Sequence, residues 1–452
     1  MAGLSFLSEI GKQGMLLNQF KIQVTGKNVA NVNTAGYSRQ RVDVNPILPE
    51  LLASFSLGSA IKGDTLRRIR ENFVDRQFWS QNSLLAQYNT EESLLSQIEG
   101  VLPASNETGL GVMLDEFWGS WNDLANDPES SVTRTLVRDR AQTLALSFNR
   151  AFDEIVSFQN TVAAEVKDRV AVVNDLASQI AELNKLNPGG NPDLDDQRDR
   201  LIGRMAEIAN IAVEFTETGV SVFVSGLQLV SGRTAFEIAV QETTGENGIG
   251  QIRTTIGGTD REIKIQSGEL SGLIAVHNND IPDLLDRLDT LAVSVAEEVN
   301  AIHLTGFNLT DVTGLNFFAD TVEGAASLAV DSAILADVDL IATSDAAGEP
   351  GNGNIAKAMA DLADKEVIGN QTIGQFYRSM VGTLGNRIQE SAFLAANQQR
   401  IVEHLEGQRQ SVAGVSMEEE MTRLMQLEQA FTAASRLVTM ADELTRTVLN
   451  MV

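Results

Sequence analysis

Three aspartates in the middle of the chain have a spacing that could hold a cation. Asp193, Asp195 and Asp196 lie in the segment PDLDDQRDRL and offer the carboxylate oxygens that Ca²⁺ prefers. A calcium loop also requires glycine at its sixth position and glutamate at its twelfth. Arg198 occupies the sixth position, and no glutamate occupies the twelfth. We therefore predict no metal here and expect these acids to cap a helix, with Asp193 as its N-cap residue.

Other candidates for chemistry are isolated. The chain has three histidines, His277, His303 and His404, and none has a neighbour at ligand spacing. It has no cysteine, which excludes disulfides, thiol catalysis and thiolate metal sites. The run GNGNIA at 351–356 has the spacing of a dinucleotide fingerprint, but no buried strand precedes it, so a linker is favoured. We predict a protein without catalytic residues and without cofactors.

One polar stretch near the N-terminus is dense in turn-forming residues. Residues 28–41 read NVANVNTAGYSRQR. Its asparagines can bond free backbone groups at a helix end. Gly36 permits the chain to reverse, and Tyr37 can anchor the arm that follows. This pattern predicts a hinge between a terminal helix and the body of the protein.

Such a hinge needs a helix before it. Residues 3–33 have a helical pattern in which Ile10, Leu17 and Val24 recur every seven residues, with Leu7 and Phe20 beside them. A helix with so narrow an apolar stripe cannot bury itself and needs a partner.

The last stretch, 416–452, has the matching pattern. Leu424, Phe431 and Val438 are seven residues apart, and small residues at the companion positions permit close helix approach. Residues 1–45 have a net charge of +3 from five basic and two acidic groups, and residues 411–452 have −3 from three basic and six acidic groups. We expect the two ends to pair. The predicted assembly-interface residues are Leu7, Ile10, Leu17, Phe20, Val24, Leu424, Leu427, Phe431, Val438, Ala441 and Val448.

The chain between the two ends is mainly helical, with one β-rich interruption. The predicted fold is mainly α with an inserted β domain: paired N- and C-terminal coiled-coil helices, a central long-helix bundle and a small β-rich insert. The predicted domains are a terminal coiled-coil assembly domain (1–45 with 411–452), an α-helical bundle domain (46–205 with 266–305 and 355–410), a β-rich insert domain (206–265), and a mixed loop segment (306–354) that is a candidate part of the outer domain.

Composition limits the partners. The 452 residues carry a formal net charge of −27, so DNA, RNA and anionic lipid surfaces repel the chain. No stretch is apolar for eighteen residues, and the first residues lack the pattern of a cleaved signal peptide. We expect no membrane span and no nucleic-acid partner.

The polar stretch resembles the N-terminal signature of the axial proteins of the bacterial flagellum, which are the rod, hook and hook-associated proteins. The matching residues are Asn28, Ala30, Asn31, Thr34, Gly36 and Tyr37. Rod and hook proteins usually continue with lysine, whereas Ser38, Arg39 and Gln40 are similar to the hook-associated protein 1 family of the hook–filament junction. Ala35 departs from the family pattern, where many members have proline.

The C-terminus has the same resemblance. Gly414, Val415, Glu419 and Glu420 match the family's Gly-Val and acidic run. Gln429, Ala430 and Phe431 match its terminal helix. The segments DLDDQRDRL and GELSGLIAVHNNDIPDLLDRLDTLA also resemble this family.

The resemblance implies a structural subunit with no reaction, which assembles as a ring at the distal end of the hook through its terminal helices. The implied partners are copies of itself, the hook protein, the second hook–filament junction protein, and a cytoplasmic export chaperone at the C-terminal region. The implied location is extracellular, after flagellar type III export without a cleaved signal peptide. One alternative is another axial protein, such as a hook or rod subunit, and a more distant one is a secreted wall-active enzyme with axial-type ends.

Overall fold

The computed structural model describes residues 2–43, 66–102, 109–188, 190–216, 219–244, 250–257 and 261–450. The segment 46–65, which falls in the predicted bundle domain, lies outside the described residues. Within the described residues the helices are α1 (Ala2–Ala30), α2 (Asn72–Glu99), α3 (Leu110–Asn126), α4 (Ser131–Leu186), α5 (Pro192–Ile208), α6 (Glu269–Ala275), α7 (Ile281–His303), α8 (Ser332–Ala336), α9 (Asn354–Asp361), α10 (Ile373–Ala413) and α11 (Met417–Asn450).

The strands form small antiparallel sheets. They are β1 (Gln40–Val42), β2 (Leu66–Arg68), β3 (Ile211–Thr216), β4 (Gly219–Val224), β5 (Leu227–Ser231), β6 (Thr234–Ala235), β7 (Ile238–Thr244), β8 (Gly250–Ile256), β9 (Glu262–Ile263), β10 (Glu366–Ile368) and β11 (Gln371–Thr372). Strands β3 to β6 make one meander and β7 to β9 another, while β1 pairs with β2 and β10 with β11. This arrangement confirms the predicted class, mainly α with a small β insert.

Helix α4 contributes many of the buried side chains of the hydrophobic core. Its buried side chains, such as Leu144, Phe148 and Ile155, recur at helical spacing, and Ser130 caps its first turn by accepting a hydrogen bond from the Thr133 amide. The inward-facing residues of β4, including Val220 and Val222, belong to the same contiguous core. The β-rich segment therefore packs on the helices through a shared core.

An aromatic cluster fixes the segment that follows α7. Phe317 lies between Trp121 and Phe318, with ring centroids 5.2 Å away in each case. Arg134, which is fully buried, donates to the carbonyls of Pro128 and Ile341. Burial lowers the pKa of Arg134 to about 10. These contacts hold the irregular segment against α3 and α4.

Two local predictions are corrected. The N-cap of α5 is Asn191, whose side chain accepts from the Asp193 amide, because Pro192 occupies the first helical position and moves Asp193 into the first turn. The predicted linker at 351–356 instead begins α9, and Asn352 and Asn354 anchor it by donating to the Asp345 carboxylate.

The two ends of the chain form an antiparallel helix pair. Gly11 of α1 lies against Ala434 and Val438 of α11, while Asn28, at the other end of α1, contacts Glu420 at the start of α11. We call this α1–α11 pair the terminal rod and the remaining described residues the body. Helix α10 reaches the terminal rod through the short link 414–416.

Candidate functional site

The seam of the terminal rod is made by small and polar residues of α1. A Cβ atom added to Gly11 would lie 2.7 Å from Val438 Cγ2, and one added to Gly14 would lie 3.4 Å from Ala434 Cβ. Asn28, which is two heptads after Gly14, is 1% exposed. Glycine at these positions permits the helix backbones to approach more closely than larger side chains would.

The predicted assembly-interface residues of α11 share the register of this seam, and their role between subunits stays a prediction. Val438 contacts the site of Gly11, and Ala441 is 1% exposed. Leu424, Leu427 and Phe431 share its heptad register and are half-buried, and Val448 is exposed near the end of the helix.

The predicted stripe of α1 lies beside the seam. Ile10, Leu17 and Val24 each come one residue before a seam position. Val24 is buried near the body, Leu7, Leu17 and Phe20 are half-buried, and Ile10 is 46% exposed. The role of these residues in assembly stays a prediction.

A partly buried polar cluster joins the terminal rod to the body. We call it the junction cluster, and its members are Asn28, Tyr37, Arg39, Gln40, Asp193 and Glu420. At its centre, the Asn28 amide donates to the Gln40 carbonyl and to Glu420 Oε2, each at 2.9 Å. Asn28 Oδ1 accepts from the Gln40 amide at 3.0 Å and from the Tyr37 hydroxyl at 2.9 Å. The NH2 group and the carbonyl oxygen of the Asn28 side chain thus each have two hydrogen-bond partners.

Arg39 pairs with the start of α11. Its Nε donates to Glu420 Oε1 at 2.7 Å, and its Nη1 donates to Glu419 Oε2 at 2.9 Å. The Glu420 side chain is 0% exposed, whereas that of Glu419 is 64% exposed. Acids in the first turn of a helix complement its dipole. That explanation is incomplete for Glu420, which is a buried ion-pair partner.

Asp193 holds the other side of the junction cluster. Its carboxylate accepts from Lys27 Nζ at 2.6 Å and from Gln40 Nε2 at 3.0 Å. Burial alone would raise the pKa of Asp193, but the Lys27 and Gln40 hydrogen bonds outweigh burial and lower it. Burial, followed by the nearby carboxylates of Asp193 and Asp196, raises the pKa of the Tyr37 phenol above its ordinary value. The phenol is therefore a neutral donor to Asn28.

The arm after Tyr37 docks on α5 and α2. The Ser38 amide donates to Asp196 Oδ2 at 3.0 Å. From β2, Arg68 Nη1 donates to Asp196 and Asp199 at 2.9 and 2.7 Å. Two arginines, Arg70 and Arg409, converge on the Asp75 carboxylate at the start of α2. These buried acids and bases neutralise one another across elements distant in the chain.

The turn itself uses the remaining motif residues. Asn31 donates to the Lys27 carbonyl at 2.9 Å and accepts from Thr34 Oγ1 at 3.1 Å, which closes the end of α1. Gly36 has φ of +74°, and an added Cβ would lie 2.8 Å from Arg200 Cγ. Both the conformation and the space require glycine here.

Sequence reasoning found the motif but not its partners. Asp193, Asp196 and Asp199 were visible only as a family-like segment and as a rejected calcium loop. Arg68, Arg70 and Asp75 had no local signal. Most donors and acceptors of this arrangement bond to one another and so couple the terminal rod to the body, although within the described residues Gln40 Oε1 and Asp199 Oδ1 are buried acceptors without a hydrogen-bond partner. Among the described residues, no group of His, Asp or Glu side chains has the arrangement of a metal site. No described helix has the length and apolar character that crossing a membrane requires.

Two family models match the chain. Residues 95–318 match the flagellar hook-associated protein FlgK helical domain. Residues 407–451, which include α11, match the C-terminal model of the flagellar basal body rod FlgEFG proteins.

Relatives that align over the whole chain support the same family as these models. The chain is 30% identical to flagellar hook-associated protein 1 of Bacillus subtilis, over 98% of this chain and 97% of that protein. It is 22% identical to the proteins of the same name from Salmonella typhimurium and Escherichia coli, over 99% of this chain and 100% of each relative. In fold it is similar to the flagellar hook junction protein FlgK from Burkholderia pseudomallei, with a TM-score of 0.65 and 16% identity over 75% of this chain and 100% of that one.

Proposed function

The chain belongs to the flagellar hook-associated protein 1 family, and from this premise we propose that it is a structural subunit of the hook–filament junction. Its subunits form a ring at the distal end of the hook, and the terminal rod of each subunit makes the contacts of that ring. The family places the protein in the bacterial flagellum as a structural component of motility.

The observation that carries this proposal is the terminal rod with its junction cluster. Both ends of the chain are used to build one narrow two-helix element, and Asn28, Arg39 and Glu420 lock it to the body. Long helices that leave apolar side chains in solvent, such as Leu16, Met440 and Leu444 in the terminal rod, favour contact with other subunits.

The role is structural rather than catalytic. The relatives are flagellar structural proteins, and the buried charges around the motif are paired with one another. The C-terminal match to flagellar rod proteins supports membership of the axial class. The match to rod proteins covers residues 407–451 alone, whereas the relatives that align over the whole chain are hook-associated proteins, which disfavours the hook or rod alternative. The wall-active enzyme gains no specific support from the described residues.

The proposed partners are those of a junction protein. They are other copies of this chain, the hook protein on one side, the second hook–filament junction protein on the other, and a cytoplasmic export chaperone that binds the C-terminal region. The proposed route is flagellar type III export without a cleaved signal peptide, and the proposed location is extracellular. The exposed apolar side chains of α11, among them Met421 and Met425, support the need for a chaperone before assembly.

Truncation of either end tests the function. Cells producing a chain without residues 1–35, or without residues 420–452, should have hooks without filaments by electron microscopy, with filament subunits lost to the medium. The control is the full-length chain with Val132→Ser, an exposed substitution on α4 far from the terminal rod. Normal filaments with either truncated chain would contradict the proposal.

A further inference from the structure

Helices α10 and α11 are separated only by the link 414–416, and the first residue of this link still continues α10. The Gly414 amide donates to the Gln410 carbonyl at 2.9 Å, which is the hydrogen bond of an α-helix, but ψ of Gly414 is 154° and directs the chain out of the helix. No proline interrupts the sequence from the start of α10 to the end of α11. A continuous helix would therefore require a change in the backbone of only a few residues.

The break between the two helices depends on the absence of a side chain at Gly414. A Cβ atom added there would lie less than 3.0 Å from the Gln410 carbonyl oxygen, which is closer than Cβ atoms come to backbone atoms. In the interior of a regular helix the same position accepts a side chain, and alanine favours the helix more than glycine does. A Cβ atom at this position therefore acts against the break and in favour of a continuous helix.

The arm after Tyr37 occupies the acceptor that a continuous helix would need. In a continuous helix the Ala413 carbonyl would accept from the Met417 amide. In the structure this carbonyl accepts from the Arg39 amide at 2.9 Å, and the Arg39 carbonyl accepts from the Ile69 amide at 2.8 Å. The docked arm and the continuous helix thus compete for one carbonyl group.

Arg39 also holds the other side of the break. Its guanidinium pairs with Glu419 and with the buried Glu420 in the first turn of α11, and Glu420 accepts from Asn28 of α1. Changing ψ of Gly414 from 154° to the helical value of about −42° would redirect α11 and move these carboxylates away from α1 and the arm. One residue of the arm therefore favours the broken form on both sides of the link.

We propose that the link 414–416 is a two-state element whose state is set by the arm. When Arg39 is docked, the helix breaks at Gly414 and α11 pairs with α1. When the arm is released, α10 and α11 form one continuous helix and the terminal rod is lost. This equilibrium makes the direction of the C-terminal helix depend on the docking of an N-terminal segment. The inference concerns the conformation of a single chain, so it goes beyond the proposed function and does not depend on it.

An engineered disulfide across the seam reports the broken form. A Cβ atom added to Gly14 would lie 3.4 Å from Ala434 Cβ, close to the Cβ–Cβ separation of a disulfide, and the natural chain has no cysteine. The purified full-length chain with Gly14→Cys and Ala434→Cys should therefore close an intramolecular disulfide under mild oxidation at high dilution. Closure is followed as a mobility shift on a non-reducing gel, and its rate measures the population of the terminal rod.

A methyl group at Gly414 should shift the chain to the continuous helix. Gly414→Ala should slow disulfide closure by about fivefold or more, because the higher helix propensity of alanine adds to its overlap with Gln410. The Met417 amide should exchange with solvent more slowly, since it gains the Ala413 carbonyl as an acceptor. Gly407→Ala is the matched control on α10, where an added Cβ meets nothing within 4 Å, and its closure rate should not change. Equal closure rates in the two variants, or faster exchange at Met417 in Gly414→Ala, would overturn the inference.

A proline in the link separates a two-state element from a simple loss of contacts. Arg39→Gln should also slow disulfide closure, because the arm loses its pairing with Glu419 and Glu420. Adding Val415→Pro should restore closure, because proline removes an amide that the continuous helix needs and favours the extended conformation that Gly414 has in the broken form. If Arg39 acted only as an ion-pair partner, the proline would give no rescue. Closure as slow in the double variant as in Arg39→Gln would therefore overturn the inference.

Discussion

The side-chain amide of Asn28 donates to the carboxylate of Glu420 at 2.9 Å and joins residues that are 392 positions apart. Both side chains are buried, at 1% and 0% exposure. Because Asn28 also holds the Gln40 backbone and Glu420 also holds Arg39, this contact sets the position of α1, of α11 and of the arm between α1 and the body. These polar contacts tie the terminal rod to the body.

Removing the charge of Glu420 should loosen the rod. In Glu420→Gln the Arg39 guanidinium loses its buried anionic partner, and breaking such a pair costs about 3 kcal/mol. Compared with the natural chain, we expect hydrogen exchange in this variant to become faster in α1 and α11 and to stay unchanged in α4. Glu419→Gln is the matched control, because this carboxylate also contacts Arg39 but is mostly exposed and should contribute about 0–1 kcal/mol. Equal effects of the two variants would contradict the central role of Glu420.

Filling the seam at Gly11 should push the helices apart. A Cβ there already meets Val438 Cγ2 at 2.7 Å, so Gly11→Leu overpacks the seam at a cost of about 1–3 kcal/mol. Gly26→Leu is the control on the same helix, where an added Cβ meets nothing within 4 Å and helix propensity improves by up to about 1 kcal/mol. With hydrogen exchange as the probe of thermal unfolding of the terminal rod, the midpoint temperature should fall for Gly11→Leu and rise for Gly26→Leu.

A charge on the seam of α11 should prevent assembly without unfolding the body. Phe431 is half-buried and shares the seam register of Ala434 and Val438. Phe431→Asp therefore places a carboxylate among apolar atoms, at a cost of about 1–3 kcal/mol. Incorporation into flagella should fail while circular dichroism shows that the body remains folded. Thr432→Asp, at the adjacent exposed position, should incorporate normally. Normal incorporation of Phe431→Asp would show that this position tolerates a charge.

Acid should destabilise the body through His303. Its Nδ1–H donates to the Leu315 carbonyl at 2.6 Å and its Nε2 accepts from the Ala342 amide at 2.9 Å, so the ring is held neutral. Burial lowers its pKa to about 4. In the unfolded chain the pKa is about 6.5.

The sign of this pH dependence follows from proton binding. Between about pH 6.5 and about pH 4 the unfolded state binds a proton that the folded state does not, so the free energy of unfolding falls as the pH falls. Urea unfolding of His303→Gln should therefore lose about 2 kcal/mol less than the natural chain between pH 7 and pH 5. His404→Gln, at an exposed position, is the control. An unchanged loss in His303→Gln would exclude this histidine as the cause.

Local structure could be recognised from the amino-acid sequence alone. The predicted α-helical range 46–205 contains α2 to α4 and most of α5, and the predicted β-rich insert 206–265 contains the strands β3 to β9. The polar stretch 28–41 also identified the turn and the family. These features follow from propensity and periodicity within a short window, which is why they can be recognised without a fold.

Which faces of the helices meet depends on the tertiary fold. A heptad pattern states which residues share a side of α1, but Gly11, Gly14 and Asn28 repeat with the same period as Ile10, Leu17 and Val24. The choice between them depends on how closely the α1 backbone approaches Ala434 and Val438, which no local window contains. The partners of Arg39, Arg68 and Asp193 were hidden for the same reason, because these charged groups are far apart in the chain and only folding brings them within about 3 Å of one another.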